Sequence, residues 1–204
     1  MIIEMRTYLL KPGTVAAFEE RFAEGLTARL QFSRLGGLWH SDVGTLNTVV
    51  HVWPYESFED RERIGQEARK TGKWPPKTQE FIILQENKIL LPAAFSPPLE
   101  ERKLGNLYEI RSYTYQAGTM PTVLERFGKV MPERVKVSPL AGAWYSAIGS
   151  LNQFIHVWAY RDAAERDRLR EEARKVKGWP PETREFMLKQ ENMLVVPAAC
   201  SPLH

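Results

Sequence analysis

The sequence predicts an α+β fold in which two βαββαβ repeats pair within one chain around a barrel-like centre. Two observations predict it: a gapless internal duplication, and strand and helix patterns in the same order in both copies. Sliding the chain against itself by 105 positions aligns residues 1–99 with 106–204, and 41 of these 99 positions are identical. We therefore expect a first repeat over 1–99, a linker over 100–105 and a second repeat over 106–204.

Each repeat begins with a strand and a helix. Apolar and polar residues alternate from Ile3 to Leu10, which predicts a strand that Pro12-Gly13 ends. In the second repeat Pro121 suits the first turn of the helix, whereas Pro132 is expected to kink or end it. The helix of the first repeat is indicated by apolar residues at helical spacing, namely Val15, Phe18, Phe22, Leu26 and Leu30.

A β-hairpin, a second helix and a last strand complete each repeat. Ser57 and Asp162 are predicted N-caps, because each is followed by an acidic residue three positions on. In the first repeat the predicted elements are strands over Leu38–Val43 and Thr48–Trp53, a helix from Ser57 to about Lys70, a helical turn over Thr78–Leu84 and a strand over Gln85–Leu91.

Composition predicts a soluble globular protein without cofactor, metal or nucleic-acid partner. Lys and Arg number 28 and Asp and Glu 25, and the two signs interleave along the chain, so we expect no nucleic-acid binding. No apolar run reaches the roughly 18 residues of a membrane span, and the N-terminus shows no targeting pattern, which predicts a cytoplasmic protein. Cys200 is the one cysteine, and no His or Cys cluster has metal-ligand spacing.

Three short motifs resemble the NIPSNAP family. They are Glu4–Tyr8 with Lys11–Gly13, Asn47–Trp53 with Tyr55, and Gln85–Asn87, and the resemblance covers both repeats. It implies a ferredoxin-like fold of the dimeric α/β-barrel type, here formed as a pseudo-dimer within one chain. That structural class also includes cofactor-free monooxygenases, haem-handling proteins and stress-response proteins. The resemblance implies no catalytic residues.

The first strand separates a polar face from an apolar face. Alternation places Glu4, Arg6 and Tyr8 on one face, and Ile3, Met5 and Leu9 on the other. We expect the apolar face to pack under the helices and the polar face to line the barrel interior. Because the first and third strands are central neighbours in a ferredoxin-like sheet, Arg6, Tyr8 and His51 are expected to converge.

The repeated polar and aromatic residues predict a small-molecule site in each half, for a small organic acid or an aromatic molecule in the barrel. Arginine is assigned as the anion anchor, histidine as the acid–base group and tyrosine as a hydrogen-bond donor. Cofactor-free acid–base or oxygenase-like chemistry is one interpretation, and the residues leave open whether the protein is an enzyme. The predicted catalytic residues are His51, His156, Tyr8 and Tyr113, and the predicted ligand-binding residues are Arg6, Arg111, Trp39, Trp144, Ser41, Ser146, Trp53 and Trp158.

A structural interpretation of the same residues stands beside the functional one. Arg6 is then an ion-pair partner of Glu4 or Glu86, and the histidines are satisfied core residues. The charge-rich segment Arg166–Lys175 is interpreted as a solvated helix face with ion pairs. The alternative function is accordingly a non-catalytic protein-interaction or scaffold module. Whether the chains assemble further into a homo-oligomer is left open.

Overall fold

A computed structural model describes residues 1–204 as eight strands and four α-helices. The order βαββαβ occurs twice, which confirms the predicted fold class. The elements are β1 Ile2–Leu10, α1 Val15–Arg29, β2 Gly37–Val43, β3 Thr48–Tyr55, α2 Phe58–Lys70, β4 Ile82–Pro92, β5 Leu107–Tyr115, α3 Met120–Arg134, β6 Leu140–Ile148, β7 Gln153–Tyr160, α4 Ala163–Ala173 and β8 Met187–Pro197.

The eight strands close into one antiparallel barrel. Their order around it is β1-β3-β2-β8-β5-β7-β6-β4. The last strand of each repeat joins the two halves: β4 pairs with β6, where Leu90 lies opposite Ser146, and β8 pairs with β2, where Val196 lies opposite His40. One polypeptide thereby forms the two-sheet assembly that the duplication predicts.

The barrel interior is filled by apolar side chains from all eight strands. Ile3 and Met5 lie there, packed with Trp39 and Trp144 from the two repeats. The other face of β1 contributes Tyr8 to a second apolar cluster under the helices. The predicted orientation of β1 is therefore wrong: its apolar face lies in the barrel interior and its polar face lies under the helices. The prediction of a ligand site in the barrel interior is wrong as well. The physical reason is that an eight-stranded barrel is just wide enough for side chains to fill, so charged residues are placed on the helix side.

The helix ends follow the predicted capping. The Ser57 Oγ atom accepts a hydrogen bond of 3.2 Å from the Asp60 amide, and Asp162 Oδ1 accepts one of 2.8 Å from the Glu165 amide. Pro132, in contrast, lies within α3, which continues to Arg134. None of the four helices combines the length and apolar character that crossing a membrane requires.

The last strand of the first repeat begins earlier than predicted. The helical turn predicted over Thr78–Leu84 is a 3₁₀ turn of Gln79–Phe81, and β4 begins at Ile82. The reason is pairing with β1, which extends as far as Leu10 opposite Ile82. Backbone hydrogen bonding across the sheet therefore sets this boundary.

Candidate functional site

A cavity of about 340 Å³ lies between the sheet of the first repeat and its helices. Arg6 and Tyr8 from β1 and His51 from β3 line its sheet side, and Phe22 from α1 and Trp74 from the loop after α2 line the opposite side. The cavity is partly open to solvent. It combines polar groups on a rigid sheet with an aromatic wall, the usual make-up of a small-molecule pocket.

The pairing of β1 with β3 brings the predicted polar residues together. Arg6 lies directly opposite His51 in the antiparallel register, and Glu4 lies opposite Trp53. The Tyr8 ring meets the His51 ring edge-on, with 5.0 Å between the ring centroids. The convergence of Arg6, Tyr8 and His51 predicted from the strand order is thus present, on the helix side of the sheet.

A hydrogen bond from Trp53 determines the protonation state of His51. The Trp53 Nε1–H group donates to His51 Nδ1 at 2.7 Å. Because an indole nitrogen is a donor only, Nδ1 must carry a lone pair, and the neutral ring carries its proton on Nε2. Burial, and then the charge of Arg6, lowers the pKa of His51 well below its usual value. His51 is therefore a neutral hydrogen-bond donor.

The Nε2 atom of His51 is buried and has no hydrogen-bond partner within the protein. Nearly all buried polar side-chain atoms in folded proteins are paired, so an unpaired donor on a residue that lines a cavity is a candidate partner for an acceptor. Since Trp53 occupies Nδ1, Nε2 is the one polar atom that His51 has left for a ligand.

Arg6 also has unused hydrogen-bonding capacity. Its guanidinium approaches Glu4 only to 3.6 Å, beyond hydrogen-bond distance, and one third of the side chain is exposed. Its Nε atom is buried without a partner. The pocket therefore holds a guanidinium that can turn its donors toward a bound anion.

Glu4 is a structural acceptor that joins three elements. Its Oε1 atom accepts from Arg61 of α2, at 2.9 Å from Nε and 2.5 Å from Nη2, and from Asn87 of β4 at 2.7 Å. Sequence reasoning missed both partners, although each recurs 105 positions later, as Arg166 and Asn192. The identity of these charged residues across the duplication was the signal that could have found them.

A second buried arginine, Arg29, supports the aromatic wall. Its guanidinium lies 4.5 Å from the centroid of the Trp53 ring and donates to the Tyr55 hydroxyl at 2.8 Å. Burial lowers the pKa of Arg29 from its usual value. Sequence reasoning missed this residue as well as its counterpart Arg134, which lies 4.0 Å from the Trp158 ring centroid. These stacked guanidiniums hold the indole rings that orient the histidines.

The second repeat retains the histidine arrangement. Trp158 Nε1 donates to His156 Nδ1 at 2.6 Å, and His156 Nε2 is buried without a partner. The Tyr113 and His156 ring centroids are 4.9 Å apart. Burial, followed by the charge of Arg111, lowers the pKa of His156 well below its usual value. Each repeat therefore holds a neutral histidine with a free Nε2–H group.

The carboxylate of the second repeat has more arginine partners than Glu4. Glu109 accepts from Arg111 at 2.6 Å, from Arg166 at 2.9 Å and from Arg170 at 2.9 Å. Burial alone would raise the pKa of Glu109, but the Arg166 hydrogen bond and the charges of Arg111 and Arg170 lower it to about 2. The expectation that Arg166 belongs to a solvated helix face is wrong, because this side chain bonds to a buried carboxylate.

Four predicted ligand-binding residues lie outside the pockets. Trp39 and Trp144 fill the barrel interior. The hydroxyl of Ser41 accepts from the Thr48 amide at 3.1 Å and that of Ser146 from the Gln153 amide, which ties the ends of each β-hairpin together. The structure therefore does not bring these four side chains to the site. The reason is the parity of β2 and β6, on which the tryptophans point away from the helices.

Nowhere in residues 1–204 do three or more His, Cys, Asp or Glu side chains lie close enough together to hold a metal ion. The ionisable groups of the pocket are mainly guanidiniums and phenols, which are poor metal ligands. What the arrangement can do chemically is donate hydrogen bonds and place positive charge against an apolar, aromatic surface.

Comparisons with known proteins match the chain along both repeats. The NIPSNAP family model matches residues 3–97 and 108–202. Human NipSnap homolog 3A is 28% identical over an alignment of 214 positions, which covers 98% of this chain and 85% of that protein. The NipSnap homolog of Dictyostelium discoideum is 40% identical over 92 residues, or 44% of this chain and 41% of that protein.

Solved structures share the whole-chain architecture. A Lactobacillus acidophilus protein that carries a provisional monooxygenase name superposes with a TM-score of 0.70 over 97% of this chain and 93% of its own. Its sequence is only 12% identical, so the likeness shows the fold alone. The eight-stranded barrel fold is accordingly one that a distant sequence also adopts.

Proposed function

The chain belongs to the NIPSNAP family, and from that premise we propose that it binds a small organic acid in the cavity between its sheet and its helices. One observation carries the proposal: His51 and Arg6 line the same cavity, and each keeps a buried, unpaired donor, Nε2–H of His51 and Nε–H of Arg6. The acid is bound through its oxygen atoms by these two groups, with Tyr8 as a third donor.

The chemistry of the cavity wall favours an anion with a flat apolar body. Four arginines and two glutamates line the cavity, which gives a formal excess of two positive charges. The opposite wall is aromatic, with Phe22 and Trp74 meeting edge-to-face at 5.5 Å between centroids. A volume of about 340 Å³ is at the lower end of small-ligand sites, which suits a compact molecule.

The same geometry favours binding and polarisation over proton abstraction. His51 Nε2 carries the proton, and moving that proton to Nδ1 would break the hydrogen bond from Trp53. Burial raises the pKa of Tyr8, so its phenol is a donor rather than a base. We therefore assign His51 and Tyr8 as donors that stabilise negative charge on a ligand oxygen. His156 and Tyr113 are their counterparts in the second repeat.

The scaffold alternative accounts for only part of the arrangement. The Glu4 Oε1 atom accepts hydrogen bonds from Arg61 and Asn87 and so joins β1, α2 and β4. That role leaves the unpaired Nε atom of Arg6 and Nε2 atom of His51 without an explanation. Unpaired buried donors cost stability, and a bound acceptor would offset that cost.

Isothermal titration calorimetry with matched acid and amide pairs tests the proposal. The probes are benzoate and 2-naphthoate, each compared with its uncharged amide. We expect the acids to bind more tightly than the amides, and we expect the double variant His51→Gln with His156→Gln to lose at least about tenfold in affinity, the loss of one charge-assisted hydrogen bond.

A barrel-interior variant provides the control. Val50→Ala removes volume from the apolar barrel interior and should lower stability without changing the affinity for either acid. Failure of every acid to bind the intact chain, or equal binding by the double histidine variant, would contradict the proposed function.

A further inference from the structure

The two repeats arrange their pockets differently, and the inference drawn from this difference rests on the proposed function. In the first repeat one cavity of about 340 Å³ is lined by both His51 and Arg6. In the second repeat the corresponding space holds two adjoining cavities, one of about 310 Å³ lined by His156 and one of about 200 Å³ lined by Arg111, with Tyr113 and Trp179 lining both. Neither of these two cavities is lined by both the histidine and the arginine.

The hydrogen bonds of the two β-strand arginines explain the division. Arg111 donates from Nε to the Tyr113 hydroxyl at 2.5 Å and from Nη1 to Glu109 at 2.6 Å. Its counterpart Arg6 approaches Glu4 only to 3.6 Å, and its Nε atom has no hydrogen-bond partner. Two arginine donors that could hold an anion are thus already used in the second repeat, whereas Arg6 keeps an unpaired Nε–H group in the first.

One substitution across the duplication distinguishes the helices above the two sites. Gly65 of α2 corresponds to Arg170 of α4, 105 positions later. Arg170 reaches Glu109, with Nη1 at 2.9 and 3.1 Å from its two carboxylate oxygens, and lines the smaller cavity. Gly65 lines the undivided cavity and leaves this space open. A Cβ atom at Gly65 would meet only the Arg69 guanidinium, at 3.4 Å or more, so the space can accept a side chain.

We infer that the chain binds one organic acid, in the first repeat, and that Gly65 is the specificity-determining position that keeps this pocket open to the anion. The charge count alone would predict the opposite, because the second repeat carries the additional arginine. The geometry favours the first repeat, because a guanidinium that is bonded to a glutamate and a tyrosine must break those bonds before it can hold a ligand. The second repeat thereby serves as the structural partner that closes the barrel.

Titration of the full chain with 2-naphthoate tests this inference. We expect a stoichiometry of one acid per chain, with loss of binding in His51→Gln and unchanged affinity in His156→Gln. Gly65→Arg copies the second repeat into the first and should weaken binding by at least about tenfold. Gln66→Arg adds the same charge to the exposed neighbouring position of α2, and it should leave the affinity unchanged.

A second measurement does not depend on any variant. In the intact protein, 2-naphthoate should shift the indole NMR signals of Trp53 and Trp74 and leave those of Trp158 and Trp179 in place. Two acids per chain, equal losses in the two histidine variants, or unaltered affinity in a folded Gly65→Arg protein would overturn the inference. Each of those results would leave acid binding itself intact, whereas no binding to the unaltered chain would instead contradict the proposed function.

Discussion

The Trp53 indole donates a hydrogen bond of 2.7 Å to His51 two residues before it on the same face of β3, and Trp158 and His156 repeat this contact in β7 at 2.6 Å. Residues two positions apart on a strand share a face, so the sequence pattern His-x-Trp is sufficient to build the pair. The consequence is chemical. A donor-only partner fixes each buried imidazole as a neutral ring with its proton on Nε2.

Replacing Trp53 with Phe should allow His51 to populate both neutral tautomers. Without the indole N–H, the buried Nδ1 atom loses its donor, and we expect a loss of about 1–3 kcal/mol in unfolding free energy. The imidazole 15N spectrum should show His51 changing from one tautomer to a mixture, with His156 unchanged as the internal control. A single unaltered tautomer for His51 would show that Trp53 does not set it.

The buried histidines should make the folded state less stable below about pH 6.5. Unfolded histidines take up protons as the pH falls through the usual pKa of 6.5, whereas burial keeps the pKa of His51 and His156 well below it. The unfolded state then binds more protons, so the free energy of unfolding falls by up to about 1.4 kcal/mol per histidine per pH unit.

Urea midpoints of the wild type and the His51→Gln, His156→Gln double variant at pH 7.5 and 5.5 measure this effect. The drop between the two pH values should be smaller in the double variant. His40 acts in the opposite direction, because its hydrogen bond to Glu19 raises its pKa, but it is common to both proteins. Equal drops would contradict the buried neutral state.

The Glu109 network should be a large contributor to stability. Glu109→Gln leaves three arginine side chains without their carboxylate, and we expect a cost of roughly 3–5 kcal/mol. With a pKa of about 2 against the usual 4.5, Glu109 contributes stability above pH 4.5 that is lost as the pH falls toward 2. The urea midpoint of the variant should therefore fall less than that of the wild type as the pH decreases from 4.5 toward 2.

An exposed glutamate serves as the control for that experiment. Glu86 makes no ion pair and is exposed on β4, so Glu86→Gln should change the unfolding free energy by less than about 0.5 kcal/mol. A Glu109→Gln protein as stable as Glu86→Gln would show that the arginine network contributes little.

Substitutions of Arg6 and Arg61 should affect ligand affinity and protein stability in opposite order. Arg61 bonds directly to the buried Glu4, so Arg61→Gln should cost about 1.5–3 kcal/mol. Arg6 lies 3.6 Å from Glu4 and is one third exposed, so Arg6→Gln should cost less than about 1 kcal/mol. Calorimetry with 2-naphthoate should show the reverse order, with the larger loss of affinity in Arg6→Gln. A large loss of stability in Arg6→Gln would make it a structural ion-pair partner instead.

The duplication and the strand periodicity predict the element order, and the ferredoxin-like strand order predicts that β1 and β3 are neighbours. The register that places Arg6 directly opposite His51 comes from the structure. The face of β1 that meets the helices could not be predicted. One face packs in the barrel interior and the other packs under the helices, and the alternation of residues does not show which face is which. Trp39 illustrates the problem, since a large aromatic residue suits either side. The roles of Arg29 and Arg61 depend on contacts between distant segments, for which only their recurrence as Arg134 and Arg166 provides a signal.

The crystal structure of the full chain with bound 2-naphthoate is the most direct test of helix-side acid binding. We predict the carboxylate in the first-repeat cavity, with one oxygen within about 3.2 Å of His51 Nε2 and the other at the Arg6 guanidinium. The naphthyl group should lie against Phe22 and Trp74. A naphthoate bound in the barrel interior, or in the helix-side cavity with His51 Nε2 and Arg6 both unpaired, would contradict this binding mode.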